Sequence, residues 1–341
     1  MFKDIIGQRP AVDLIKRAID EKRFAHAYLF IGPDGVGKSL LARIFAESLN
    51  CERSGAAACG ECVSCRKIEE RNHPDVRWFT NKIKEKRSDA NDGWIRPNSL
   101  EPDKKSPRIS IDMIRFLQQA MSLKPYEGRT KVYVIDGADN MTEEAANCLL
   151  KSLEEPPKDT VIVLLASNMS RLMPTILSRC QKVMFYPLDE ESVKMELMRK
   201  YGLDEKKALC VSRFSEGSIG KAIETLEEDA LAKRDKVIDE FISPKRLGYE
   251  DTWLYDEPRD KVNGILSTLA VYFRDLLVFN LSKDAGLLVN LDKADEIVRD
   301  ASRYSAARLE EIIEAIAATQ ERIKRNANIK IALASMRLDI T

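Results

Sequence analysis

Short runs of consecutive apolar residues punctuate the first half of the chain. HAYLFI (26–31), the run at 132–135 within KVYVIDGADNM, TVIVLLAS (160–167) and KVMFY (182–186) are each too short for a buried helix and predict strands. Between them the period changes. LLARIFAESL (40–49) and EEAANCLLKSLEEPP (143–157) have helical spacing, and Pro156–Pro157 closes the second. Apolar strands alternating with helices predict an α/β fold: a parallel sheet covered by helices on both faces. Beyond about residue 188 the strand-like runs stop. Helical patterns begin near Glu190, Asp204 and Gly217, and 262–281 and 306–324 are again helical. In the last helix Ile329, Leu333, Met336 and Ile340 fall at i, i+4, i+7 and i+11, one apolar stripe. These shifts predict a first module over 1–187, a small helical domain over 188–245 and a C-terminal helical domain over 246–341, with SPKRLGYEDTWLYDEP as connector.

Composition narrows the classes. Lys+Arg and Asp+Glu balance at 55 each in 341 residues, so no global field draws the chain to nucleic acid or membranes. No unbroken apolar run approaches the roughly 18 residues of a membrane helix, and the first twenty residues mix both charges, unlike a signal peptide. A cytoplasmic protein with reduced thiols is expected. The polar, aperiodic stretch 81–108 predicts a surface loop. Its Lys82, Lys84, Lys86, Arg87, Lys104 and Lys105 could meet DNA phosphates, although acidic neighbours dilute that field.

The chemistry begins after the first strand. GPDGVGKS sits between a strand and a helix, the context in which G-x4-G-K-[ST] binds phosphate. Gly32, Gly35 and Gly37 let backbone N–H groups curl round the phosphates of ATP, Lys38 reaches them and Ser39 holds Mg²⁺. Asp136, ending the second strand noted above, is placed to bind that ion through water. Asn168, after the third, is placed to meet a γ-phosphate or the attacking water. Read bare, the loop would be a solvated glycine turn; the flanking elements argue otherwise.

Ten residues on, CERSGAAACGECVSC carries Cys51, Cys59, Cys62 and Cys65. Buried small hydrophobes are the bland reading, but the segment is polar and glycine-bearing. Two C-x2-C steps sharing Cys62, with a fourth thiol, suit a tetrahedral ion. An iron–sulfur cluster is the rival. Nothing else suggests electron transfer, which favours zinc, and four thiolates leave no open position, so the zinc is structural.

Together the phosphate loop, ANCLLKSLEEPP, Asn168 and PTILSRCQ resemble the clamp-loader branch of the AAA+ ATPases, and the thiol cluster resembles that of bacterial replicative clamp-loader subunits. The resemblance runs through the chain and is densest within 24–180. It implies a hetero-pentamer with motor (gamma/tau) and delta subunits, whose C-terminal bundles form a collar. It also implies a sliding clamp and primer–template DNA as partners, and no membrane. Motor subunits place a Glu beside the magnesium aspartate and an Arg in the lid motif. Here Gly137 and Gly220 stand at those places, with Asp139 and Lys221 out of register. The resemblance therefore points to the delta-prime kind, with ATP binding possible and hydrolysis weak. It also implies that Arg179 of SRC reaches a neighbour's ATP as a finger in trans. By itself Arg179 reads as a solvated helix-end cation. The alternatives are a gamma/tau motor and, in another class, a stand-alone zinc-bearing DNA-binding switch, which neutral net charge disfavours.

Overall fold

The strand runs lie in one sheet. A computed structural model describes residues 2–53, 57–80, 108–227, 230–242 and 253–340. Residues 81–107, with the six basic side chains considered for DNA, lie outside the described residues, as do 243–252 of the connector and the boundary expected at 245. The strands are β1 (Ala27–Ile31), β2 (Val76–Thr80), β3 (Lys131–Asp136), β4 (Thr160–Ala166) and β5 (Gln181–Met184). All pair in parallel, in the order β2-β3-β4-β1-β5. β2 (VRWFT) is an addition to the strands anticipated from sequence.

Side-chain alternation builds two cores. Leu29, Ile31, Tyr133, Ile135, Ile162 and Leu164 face one layer, and Tyr28, Phe30, Val132, Val134, Val161 and Val163 face the other. The second layer is covered by α1 (Arg9–Asp20), α2 (Lys38–Asn50) and α3 (Val63–Glu69) through Val12, Ile15, Leu41, Phe45 and Ile68. The first is covered by α4 (Ile111–Met121), α5 (Glu143–Glu154) and α6 (Pro174–Arg179) through Ile114, Leu117, Leu149, Leu153 and Ile176. Burial on both faces explains why the strands read as unbroken apolar runs.

The chain divides into two compact units. The first is 1–189 together with 218–220, and the second is 190–217 with 221–341. Helices α7 (Glu190–Tyr201), α8 (Glu205–Phe214), α9 (Ile219–Glu227), α10 (Ala230–Ile242), α11 (Arg259–Ser282), α12 (Ala294–Ala301), α13 (Ala306–Lys324) and α14 (Ile329–Ile340) follow the sheet. Asp204 caps α8 by accepting from the Lys207 N–H at 2.9 Å. In the second unit Leu333, Met336 and Ile340 of α14 are buried with Leu266, Leu269, Phe273, Ile312 and Ile316. Among the described residues one stretch, Lys261–Ser282, is long and apolar enough to cross a membrane. Lys261, Arg274, Asp275 and its polar residues break it into shorter apolar runs. Its inner face packs in this core, and its Asp275, fully buried, accepts from the N–H groups of Val289 (3.1 Å) and Asn290 (2.7 Å).

Candidate functional site

The carboxyl ends of β1, β3 and β4 meet at one end of the sheet. β4 lies between the other two, and the register sets Ile31 opposite Ala166 and Asp136 opposite Leu165. Open parallel sheets bind ligands in such a crevice. The loop bearing Gly32, Gly35 and Gly37, the half-buried Asp136, and Asn168 are all brought to it.

The loop has the backbone its glycines permit. Gly35 and Gly37 are left-handed, at φ 76° and 106°, and a Cβ on Gly32 would strike the Phe185 carbonyl. Lys38 and Ser39 open α2, with Lys38 buried and Ser39 half-buried. The Lys38 ammonium donates to the Gly32 carbonyl and, at 2.8 Å, to that of Pro33, and it lies 3.5 Å from Asp34 Oδ1. Asp34, unremarked in the sequence, is a hub. Its Oδ1 accepts from Ser167 Oγ at 2.7 Å, and its carbonyl accepts from Ser218 Oγ at 2.7 Å. The Gly220 N–H donates to the Gly35 carbonyl at 2.9 Å. Backbone thus rests on backbone, and a Cβ on Gly220 would sit 2.6 Å from Gly35 Cα.

The turn after β3 and the end of β4 are tied together. Gly137, at φ 81°, is left-handed, a conformation a glutamate would enter only with strain. Asp139 spends Oδ2 on the N–H groups of Ser167 (3.2 Å) and Asn168 (3.0 Å), tying the end of β4 to the turn after β3. Asn168 Oδ1 accepts from the Ser170 N–H and hydroxyl, at 2.9 and 2.6 Å.

The thiols of Cys51, Cys59, Cys62 and Cys65 come together, all four sulfurs within 4.8 Å of one another and none in a disulfide. A tetrahedral site with Zn–S bonds of about 2.3 Å sets sulfurs about 3.8 Å apart, so the cluster fits an ion after slight contraction. Cys59 Sγ accepts from the N–H groups of Glu61 (3.5 Å) and Cys62 (3.3 Å), and Cys62 Sγ from that of Cys65 (3.4 Å). These backbone donors, Glu61 first, hold the Cys59 thiol down to about 6. Burial pushes the Cys51 and Cys65 thiols up; they hold their protons at neutral pH and would release them to solvent only as a cation took their place. Nearby in sequence, on α2, Glu47 is fully buried with both carboxylate oxygens lacking a hydrogen bond, and burial pushes it up to about 7.

Arg179 ends α6 at the surface of the first unit, half-buried. Its Nη1 donates to the Thr175 carbonyl at 3.0 Å, and its Nη2 donates to Glu154 Oε1 at 2.6 Å. It lies apart from the crevice elements in sequence and makes none of its bonds to them. Glu154 was read only as part of a helix end; the signal for it was an acid in a last turn.

The family model described as DNA polymerase III, delta subunit, matches residues 7–189, and that described as DNA polymerase III, delta subunit, C terminal, matches 228–340. The chain is 30% identical to DNA polymerase III subunit delta' of Bacillus subtilis (strain 168), covering 96% of this chain and 95% of that protein. It is 41% identical to the subunit delta' of Pseudomonas aeruginosa over 46% of this chain and 42% of that protein. It is also 32% identical to the subunit tau of Escherichia coli (strain K12), over 69% of this chain but only 33% of that protein.

Proposed function

This chain belongs to the DNA polymerase III delta-subunit family and is of the delta-prime kind, and on that premise we propose how it works within a clamp loader. It assembles with gamma/tau and delta subunits into a hetero-pentamer in the cytoplasm, which loads a sliding clamp on primer–template DNA. It contributes Arg179 to a neighbour's ATP and hydrolyses little itself. In this reading residues 1–187 are the nucleotide module, 188–245 the lid and 246–341 the collar domain. Gly32, Gly35, Gly37, Lys38 and Ser39 would hold ATP and Mg²⁺ with Asp136 and Asn168. Cys51, Cys59, Cys62 and Cys65 would hold a structural zinc.

The carrying observation is the contrast between the two arginine-and-acid positions. By the resemblance, the places for a water-orienting acid and a lid arginine fall on Gly137, which is left-handed, and on Gly220, whose backbone rests on that of Gly35. At the unit's surface, Arg179 is intact and part exposed. A gamma/tau motor needs both missing groups, each a transition-state stabiliser, so the tau relationship does not carry that activity over. The test is ATP turnover of the chain alone and in a reconstituted loader. Alone it should turn over far below a motor subunit. Arg179→Ala should assemble normally yet lower clamp- and DNA-stimulated turnover, since a finger in trans is worth roughly 10³–10⁵ at the site that borrows it. Arg179→Lys should rescue poorly, because an ammonium lacks the planar fork. Unchanged loading by an assembled Arg179→Ala complex overturns the reading.

A further inference from the structure

Glu154 occupies a poor place for an acid. It is the last residue of α5, where the helix dipole disfavours negative charge, and Glu155 follows directly. Among the described residues its carboxylate has one partner, the Arg179 guanidinium, 2.6 Å from Nη2 to Oε1. From α6, the Thr175 carbonyl and Ser178 Oγ accept from Nη1 at 3.0 and 3.4 Å. The planar group is therefore fixed from two helices, and Nε–H and the second Nη2 hydrogen stay uncommitted. The side chains are 34% and 50% exposed, so the pair contributes little to stability. What the contacts do fix is the orientation of the guanidinium at the surface of the unit.

We propose that Glu154 is a positioning residue for Arg179. Its charge-assisted bond keeps the guanidinium in one orientation, so that a neighbour's triphosphate meets ordered donors rather than a side chain sampling many rotamers. Ordering a long side chain at the moment of contact weakens the interaction, and small misplacements at a reacting centre cost rate. This rests on the reading of Arg179 as a finger. The carboxylate lies on one Nη2 hydrogen, so a phosphate can approach the remaining donors with the pair intact.

The experiment uses the full chain reconstituted with motor and delta subunits and reads clamp- and DNA-stimulated ATP turnover. It compares wild type, Arg179→Ala, Glu154→Ala, Glu154→Gln and the double alanine variant. Glu154→Ala should lose roughly half or more of what Arg179→Ala loses, in kcat with KM for ATP unchanged. It should lose nothing further in the Arg179→Ala background. Glu154→Gln, whose amide oxygen still accepts from Nη2, should recover most of the loss while keeping the wild-type melting temperature. Wild-type turnover in Glu154→Ala beside a lowered Arg179→Ala removes this proposal and leaves the finger. Faster turnover in Glu154→Ala makes the pair a restraint and overturns it. An equal further loss in the double variant makes Glu154 merely structural. No loss in an assembled Arg179→Ala complex removes the finger, and this proposal with it.

Discussion

Gly220→Ala adds a single methyl group at the point where two backbones meet. The new Cβ would lie 2.6 Å from Gly35 Cα and 3.2 Å from its carbonyl oxygen. Neither neighbour is the end of a flexible side chain, so the segment 218–220 must move off the phosphate loop. That movement threatens the Gly220-to-Gly35 bond (2.9 Å) and the Ser218-to-Asp34 bond (2.7 Å), each worth about 1 kcal/mol. Forcing an extra carbon into packed structure costs about 1–3 kcal/mol. Against this, Ala favours the first turn of α9 over Gly by up to about 1 kcal/mol. With both bonds lost the net is a destabilisation of about 2–4 kcal/mol, or a fall of roughly 4–16 °C for a module of this size. Gly264→Ala is the control. It sits within α11 with open space where its Cβ would go, so helix propensity alone acts and stability should hold or rise by up to about 1 kcal/mol. Scanning calorimetry of both variants decides. If Gly220→Ala melts with wild type, or Gly264→Ala falls as far, the close approach is not what the glycine is for.

The cluster of thiols should carry about one zinc per chain, and replacing Cys59 and Cys62 with Ser should lower the melting temperature without abolishing nucleotide binding; iron, or no metal in freshly reduced protein, speaks against it. Lys38→Ala should impair clamp loading less than the same change in a motor subunit, because in the proposed reading Gly137 and Gly220 stand where a motor has its hydrolytic groups; complete loss of loading in the reconstituted assay would show that the site does more. Glu47, held by burial at about 7 against an ordinary 4.5, binds its proton more tightly folded than unfolded, so stability should be fully present below about pH 4.5 and decline toward pH 7 and above. The loss is up to about 3 kcal/mol, read as denaturation midpoint against pH, and Glu47→Gln should flatten that slope.

Much of the sheet was legible because both its faces are buried, which turns strands into unbroken apolar runs. β2 was missed for a physical reason: Arg77 interrupts VRWFT and its aliphatic stem is only half-buried beside four buried neighbours. The glycine loop from Gly32 to Ser39 was legible because a strand–loop–helix unit is local in sequence. Asp34, Ser218 and Glu154 were not, since their partners lie 133, 184 and 25 residues away. Asp34 in particular looked like a filler position of the motif, although its side chain joins the loop to Ser167 and its carbonyl joins it to Ser218. Glu47 left a different kind of trace. An acid amid the apolar residues of LLARIFAESL is read as the solvated face of a helix until burial places it inside.

The two glycines that, in the proposed reading, stand in for a motor's catalytic groups differ in what the backbone asks of them. A glutamate at 137 would have to take the left-handed conformation from which the turn after β3 is built. An arginine at 220 would need a Cβ where Gly35 lies. A side chain at 220 therefore demands a movement of 218–220 off the phosphate loop, whereas one at 137 has room for its Cβ and costs only the strain of a left-handed backbone, about 1–2 kcal/mol. The chain's two charged assets differ as well. Lys38 is turned into its own loop and bound by carbonyls. Arg179 is bonded to Glu154 at the surface of the first unit, where the proposed finger role would have it meet a reactant from outside the chain.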